Sequence, residues 1–107
     1  MFKTIMIDGK EMEFVANAAT PFRFKQVFHK DLLSIFSSEE SAQSQGVEAV
    51  TELAYIMARQ AEKADMSKLS YDDFISWLEG YAPMAFVETA EDILSVYTGT
   101  TESTSIP

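Results

Sequence analysis

The chain offers little raw material for catalysis or metal binding, since it has a single histidine, His29, and no cysteine. A zinc site built on His29 would need carboxylates or waters for every remaining position, an uncommon set. Lying between Phe28 and Lys30, His29 reads instead as a boundary side chain with one polar edge in water. Serines and aspartates are plentiful enough for a Ser/His/Asp triad, but no G-x-S-x-G nucleophile elbow occurs. None of the four glycines falls in a G-x-G or G-K-[ST] setting, so no phosphate-cradling loop is written in the chain. The stretch Leu69-Ser70-Tyr71-Asp72-Asp73-Phe74 resembles the exit of a calcium loop with Asp73 at the twelfth position. Counting back puts Glu62, Ala64 and Met66 at the first, third and fifth positions and Ser67 at the sharp turn, which spoils both the ligand set and the turn. The same residues make a good helix start, with Ser70 as cap, Asp73 three residues on, and Leu69 against Phe74 as a hydrophobic staple. The acid pairs Asp72/Asp73 and Glu91/Asp92 read as solvated helix faces rather than acid/base machinery, and the six methionines as core filling. No residue is nominated for catalysis, for a metal or for a cofactor, and the protein is expected not to be an enzyme.

The composition points to one small domain. At 107 residues, with 47% apolar content including eight phenylalanines, the chain can build a real core without a disulfide. Eight basic against 17 acidic residues give a net charge of −9, which argues against a nucleic-acid backbone or an anionic membrane as the main partner. The charge is unevenly spread. Residues 1–30 hold five bases against three acids, net +2, and residues 31–107 hold three bases against fourteen acids, net −11. No apolar run approaches the about 18 residues needed to span a bilayer, and Met1-Phe2-Lys3 leads directly into a strand pattern, so a cytoplasmic protein is expected.

The elements follow from local patterns. Asp8-Gly9 is a two-residue type I′ turn signal between two β-rich runs, which predicts a hairpin over 2–16 with Ile7 opposite Lys10, Ile5 opposite Met12 and Lys3 opposite Phe14. Ile5, Ile7, Met12 and Phe14 then share one face, and helices must cover it because an isolated hairpin is marginal in water. Thr20-Pro21 reads as an N-cap followed by proline at the first helical position. A helix from there to about Ser37 lines up Phe24, Phe28, Leu32, Ile35 and Phe36, with Arg23, Gln26 and Lys30 on the other side. Residues 37–46 lack large apolar side chains and read as a mobile loop. Val47, Val50, Ala54, Met57 and Ala61, flanked by Leu53 and Ile56, predict a central helix to about Ala64. A short helix from Ser70 through Leu78 follows, and Gly80-Tyr81-Ala82-Pro83 opens the last one.

In that last helix, 83–97, Met84, Val87, Ala90, Leu94 and Tyr97 form one stripe, and Phe86, Ile93 and Val96 form a second beside it. The wide arc has two readings: a helix buried all round in its own domain, or one whose second stripe waits for a partner. The expected fold is α+β and mostly helical, an N-terminal β-hairpin followed by four to five helices. Residues 1–97 form one globular domain and the small, polar residues 98–107 a flexible tail.

A resemblance adds to this reading. The stretch Thr20-Pro21-Phe22-Arg23-Phe24-Lys25-Gln26-Val27-Phe28-His29-Lys30-Asp31-Leu32-Leu33, preceded by a hairpin ending in Ala16-Asn17-Ala18-Ala19, resembles the N-terminal signature of tail assembly chaperones from long-tailed phages and prophages of Gram-positive bacteria. Phe74-Ile75-Ser76-Trp77-Leu78, the acidic helix containing Ala90-Glu91-Asp92-Ile93-Leu94 and the Ser/Thr-rich end are similar to the family's C-terminal region. His29 departs from the pattern, which has glycine before Lys-Asp-Leu; a glycine there would favour a helix break, so the resemblance admits two helices where periodicity predicts one. The resemblance implies a non-virion helper in the bacterial host cytoplasm, often also made in a longer form by ribosomal frameshifting. It would hold the tape measure protein soluble while tail tube protein polymerises, with no nucleic-acid or membrane partner and with self-association left open. On this hypothesis the partner-binding residues are Phe86, Ile93 and Val96, together with the basic face Arg23, Lys25 and Lys30. The alternative class is a small acidic regulator or antagonist that presents its carboxylates to a basic site, in the manner of a nucleic-acid mimic.

Overall fold

A computed structural model describes residues 2–35 and 39–99, without the side chains of Leu33, residues 39–45 and Met66. The chain folds as an antiparallel hairpin followed by helices, an α+β and mostly helical architecture. Strands β1 (Phe2–Ile7) and β2 (Lys10–Val15) pair in the register expected from the turn, with Ile7 opposite Lys10, Ile5 opposite Met12 and Lys3 opposite Phe14. Asp8 and Gly9 both take positive φ, 55° and 79°, as a type I′ turn demands. Ile5, Ile7 and Phe14 are buried on the inner face and Met12 packs beside them.

Helix α1 (Thr20–Phe28) buries Thr20, Phe24 and Phe28 at four-residue intervals. Its cap position is Ala19 rather than Thr20. The Asn17 carbonyl side chain accepts from the Ala19 amide, which turns the chain into the helix and frees the Thr20 hydroxyl for a tertiary role. The single helix predicted to Ser37 is in fact two. His29 takes the left-handed conformation, φ 59°, closing α1 with its amide on the Lys25 carbonyl, and α2 (Leu32–Ile35) restarts from Asp31. Both pieces bury the predicted residues Phe24, Phe28, Leu32 and Ile35, while Phe36 lies outside the described residues.

Helix α3 (Glu39–Ala61) is the axis of the fold and packs against β2 and every other helix. Leu53 to Ala58 are buried on all sides, as befits a helix enclosed by its neighbours. It begins eight residues before the predicted Val47, so residues 39–46 of the expected loop are helical. Glutamate, alanine and glutamine are adequate helix formers, so a run without large apolar residues does not require a loop. A 3-10 turn (Met66–Lys68) leads into α4 (Tyr71–Leu78), where the Ser70 hydroxyl accepts from the Asp73 amide at 3.1 Å, the predicted cap.

The last predicted helix is also divided, into α5 (Ala85–Glu88) and α6 (Ala90–Thr98), with Thr89 between them at φ −110° and its hydroxyl donating to the Ala85 carbonyl. Gly99 ends α6 in the left-handed conformation, so residues 98 and 99 complete a helix; the rest of the expected tail, 100–107, lies outside the described residues. A run of ring contacts joins the helices, from Phe24 and Phe28 through Tyr55, Phe74 and Trp77 to Phe86, with centroid separations of 5.0 to 6.1 Å.

Candidate partner-binding surface

The predicted partner-binding stripe is core. Phe86, Ile93 and Val96 are 5%, 0% and 0% exposed, which corrects the expectation that they face outward. The bend at Thr89 explains the difference. It turns Phe86 onto Trp77 and Tyr81, 5.2 and 5.3 Å between ring centroids, while α6 lies against the hairpin and α3.

The basic face is likewise largely committed to internal contacts. The Arg23 guanidinium donates to Gln60 Oε1 at 3.1 Å. Lys30 lies 2.8 Å from the buried Glu52 carboxylate and 3.7 Å from Glu48, bridging α3 to the segment after His29. The Glu52 contact is an ion pair rather than an aligned hydrogen bond, because Oε1 has no partner of good hydrogen-bond geometry. Burial pushes the Glu52 carboxyl above its usual range, and the Lys30 ammonium only partly opposes this. Lys25 remains exposed.

Sequence reasoning missed three polar joints. Gln60 Nε2 donates to the Val15 carbonyl at 2.7 Å and to the Thr20 hydroxyl at 3.0 Å, which itself accepts from the Asn17 amide, so one buried side chain ties the hairpin exit, the start of α1 and α3 together. The Tyr55 hydroxyl donates to Asp73 at 2.5 Å and Arg59 pairs with Asp73 at 3.4 Å and Glu62 at 2.8 Å, joining α3 to α4. Burial first, and the Asp73 hydrogen bond second, push the Tyr55 phenol up to about 12. At the hairpin turn, Asp8 accepts from the Ala82 amide at 3.2 Å and Lys10 donates to the Gly80 carbonyl at 3.1 Å while sitting 4.9 Å over the Tyr81 ring. The long sequence separations leave no local signal of any of these, although Gln60, a polar residue on a strongly apolar helix, is a hint in retrospect.

The remaining exposed apolar side chains near the C-terminal helices are Met84, 55%, and Val87, 40%, with Val47, 48%, on α3. Val47 and Val87 line a cleft of about 200 Å³ together with Thr51, Leu78, Tyr81 and Pro83. No charged residue lines the cleft. The arrangement suits an apolar side chain. Among the described residues no group of three or more His, Cys, Asp or Glu is placed to hold a metal ion, and no helix is long and apolar enough to cross a membrane. Comparison with protein-family models, with curated proteins and with solved structures returns no match to this chain.

Proposed function

We propose that the protein is a tail assembly chaperone of a phage or prophage, a non-catalytic binder that keeps a tape measure protein soluble while tail tube protein assembles around it. The observation that carries the reading is the chain reversal at His29. The family pattern has glycine before Lys-Asp-Leu, and residue 29 here has φ 59°, the backbone region in which glycine is least strained. A position that departs in residue type thus agrees in conformation. The client surface is reassigned from the buried Ile93 and Val96 to Val47 and Val87, which line the cleft over Phe86, and to the exposed Met84, where the client would place an apolar stripe of a helix.

Co-expression with the tape measure protein tests this. The native chain is expected to raise the soluble fraction of that protein, and a Met84→Asp, Val87→Asp double variant that still folds is expected to lose most of the effect. An unchanged soluble fraction with the native chain sinks the reading. A complex that ignores the double variant but falls apart between low and high salt favours the acidic antagonist, since apolar contacts are screened little.

A further inference from the structure

We infer that β1 is a self-pairing edge, through which two copies of this chain join their hairpins into one four-stranded antiparallel sheet about a two-fold axis at Thr4. The register of the hairpin fixes which backbone groups are free. Ile7 and Lys10 flank the two-residue turn and form a hydrogen-bonded pair, so Ile5 and Lys3 also bond to β2, while the amides and carbonyls of Phe2, Thr4 and Met6 point away from it. The same alternation on β2 turns the Val15 carbonyl outward, and there Gln60 meets it at 2.7 Å. At the β2 edge α3 thus meets the Val15 carbonyl, while on β1, against which α6 packs, none of the described residues hydrogen-bonds the outward groups of Phe2, Thr4 and Met6.

The side chains agree with a self-complementary partner. Phe2 and Met6 are 58% and 56% exposed on the outer face, with Thr4 exposed between them. A two-fold axis at Thr4 sets Phe2 beside the second copy's Met6, Thr4 beside its own copy, and Met6 beside Phe2, all as hydrogen-bonded pairs on one face. Shifting the register by one residue would put outer-face side chains opposite inner-face ones. Residues 2–7 contain no acid, one lysine, no proline and no bulge, so the usual devices that block an edge are largely missing along β1.

Because the chain has no cysteine, single-cysteine variants of the full protein read the register directly. Opposed residues in a hydrogen-bonded pair have Cα atoms about 5.5 Å apart, within disulfide range. Thr4→Cys is expected to form a disulfide-linked dimer under mild oxidation at least about tenfold faster than Met6→Cys, whose two copies sit about four residues, or roughly 14 Å, apart along the strands. Sedimentation of the native chain should show a monomer–dimer equilibrium. Thr4→Pro, which removes an outward amide but no bond to β2, should leave a folded monomer by circular dichroism. A native chain that stays monomeric into the millimolar range, or equal cross-linking of the two cysteine variants, overturns the inference; so does a Thr4→Pro protein that still dimerises.

Discussion

Two buried polar side chains both lose stabilisation as pH rises, in different windows. The Tyr55 phenol is fully enclosed and bonded to Asp73, and its folded value of about 12 lies above that of an unfolded tyrosine near 10. A raised value means that its contribution is whole below about pH 10 and is lost as pH rises through about 12. Urea unfolding is expected to show stability falling by on the order of 2 kcal/mol across that window, with Tyr55→Phe removing much of the slope. Glu52 is also raised by burial, so its folded-state preference for the proton is fully expressed below the ordinary glutamate range and is lost as pH climbs through its folded value. At neutral pH the carboxylate is therefore a net cost that Lys30 offsets. Lys30→Met should destabilise by about 2 kcal/mol at pH 7, less than for a fully enclosed pair because Lys30 is about one-third exposed, and Glu52→Gln should cost little. Denaturation midpoints of the two variants decide the matter, and equal losses would show that the pair is a mutual stabiliser instead.

At the scale of elements, the fold depends on helices that stop in the right place. His29 holds a left-handed conformation without being glycine, a strain normally of about 1 kcal/mol. His29→Gly is expected to stabilise by about 0.5 kcal/mol, the relief of strain exceeding the extra freedom gained by the unfolded chain, and His29→Val to destabilise by about 1 to 2 kcal/mol. Chemical denaturation of both measures the sign. The joint at Gln60 is a harder constraint, since from α3 it satisfies groups of both β2 and α1 at once. Gln60→Leu leaves the Val15 carbonyl and the Thr20 hydroxyl without that donor and should cost about 2 to 3 kcal/mol. Amide exchange should quicken at the hairpin exit and the start of α1 together. A loss confined to one of these elements would show that the joint is not shared.

Over the whole molecule, the pattern of charge governs how two copies approach. Net −9 on a chain of 107 residues makes long-range encounter between copies unfavourable, while the described apolar exposure at Phe2 and Met6 lies on the least acidic third of the sequence. Raising ionic strength from about 0.02 to 0.5 M shortens the reach of that repulsion from roughly 20 Å to about 4 Å. Dimerisation through β1 should therefore strengthen with salt in sedimentation experiments, the reverse of what an ion-paired interface would do. The proposed client cleft beside Val87 is lined from α3, α4 and α5 and not from the hairpin, so the two surfaces are expected to be mutated independently, Thr4→Pro leaving client solubility unchanged.

Features legible from residue order alone are local. Asp8-Gly9 set both the turn and the strand register, and Ser70 with Asp73 placed the start of α4, because turn and cap energetics involve groups a few residues apart. The apolar spacing also named Phe24, Phe28, Leu32, Ile35 and most of α3 as core. Periodicity reports which side of a helix is apolar but not where its axis changes direction. The break at His29 keeps the four-residue phase of Phe28 and Leu32 and leaves no trace in the pattern, and only the family resemblance pointed to it. For the same reason the width of the apolar arc on 83–97 could not distinguish a waiting surface from an enclosed one. The tertiary structure decided it, since the bend at Thr89 lets Trp77 and Tyr81 close over Phe86 while the hairpin and α3 enclose Ile93 and Val96, contacts between segments that no local window contains.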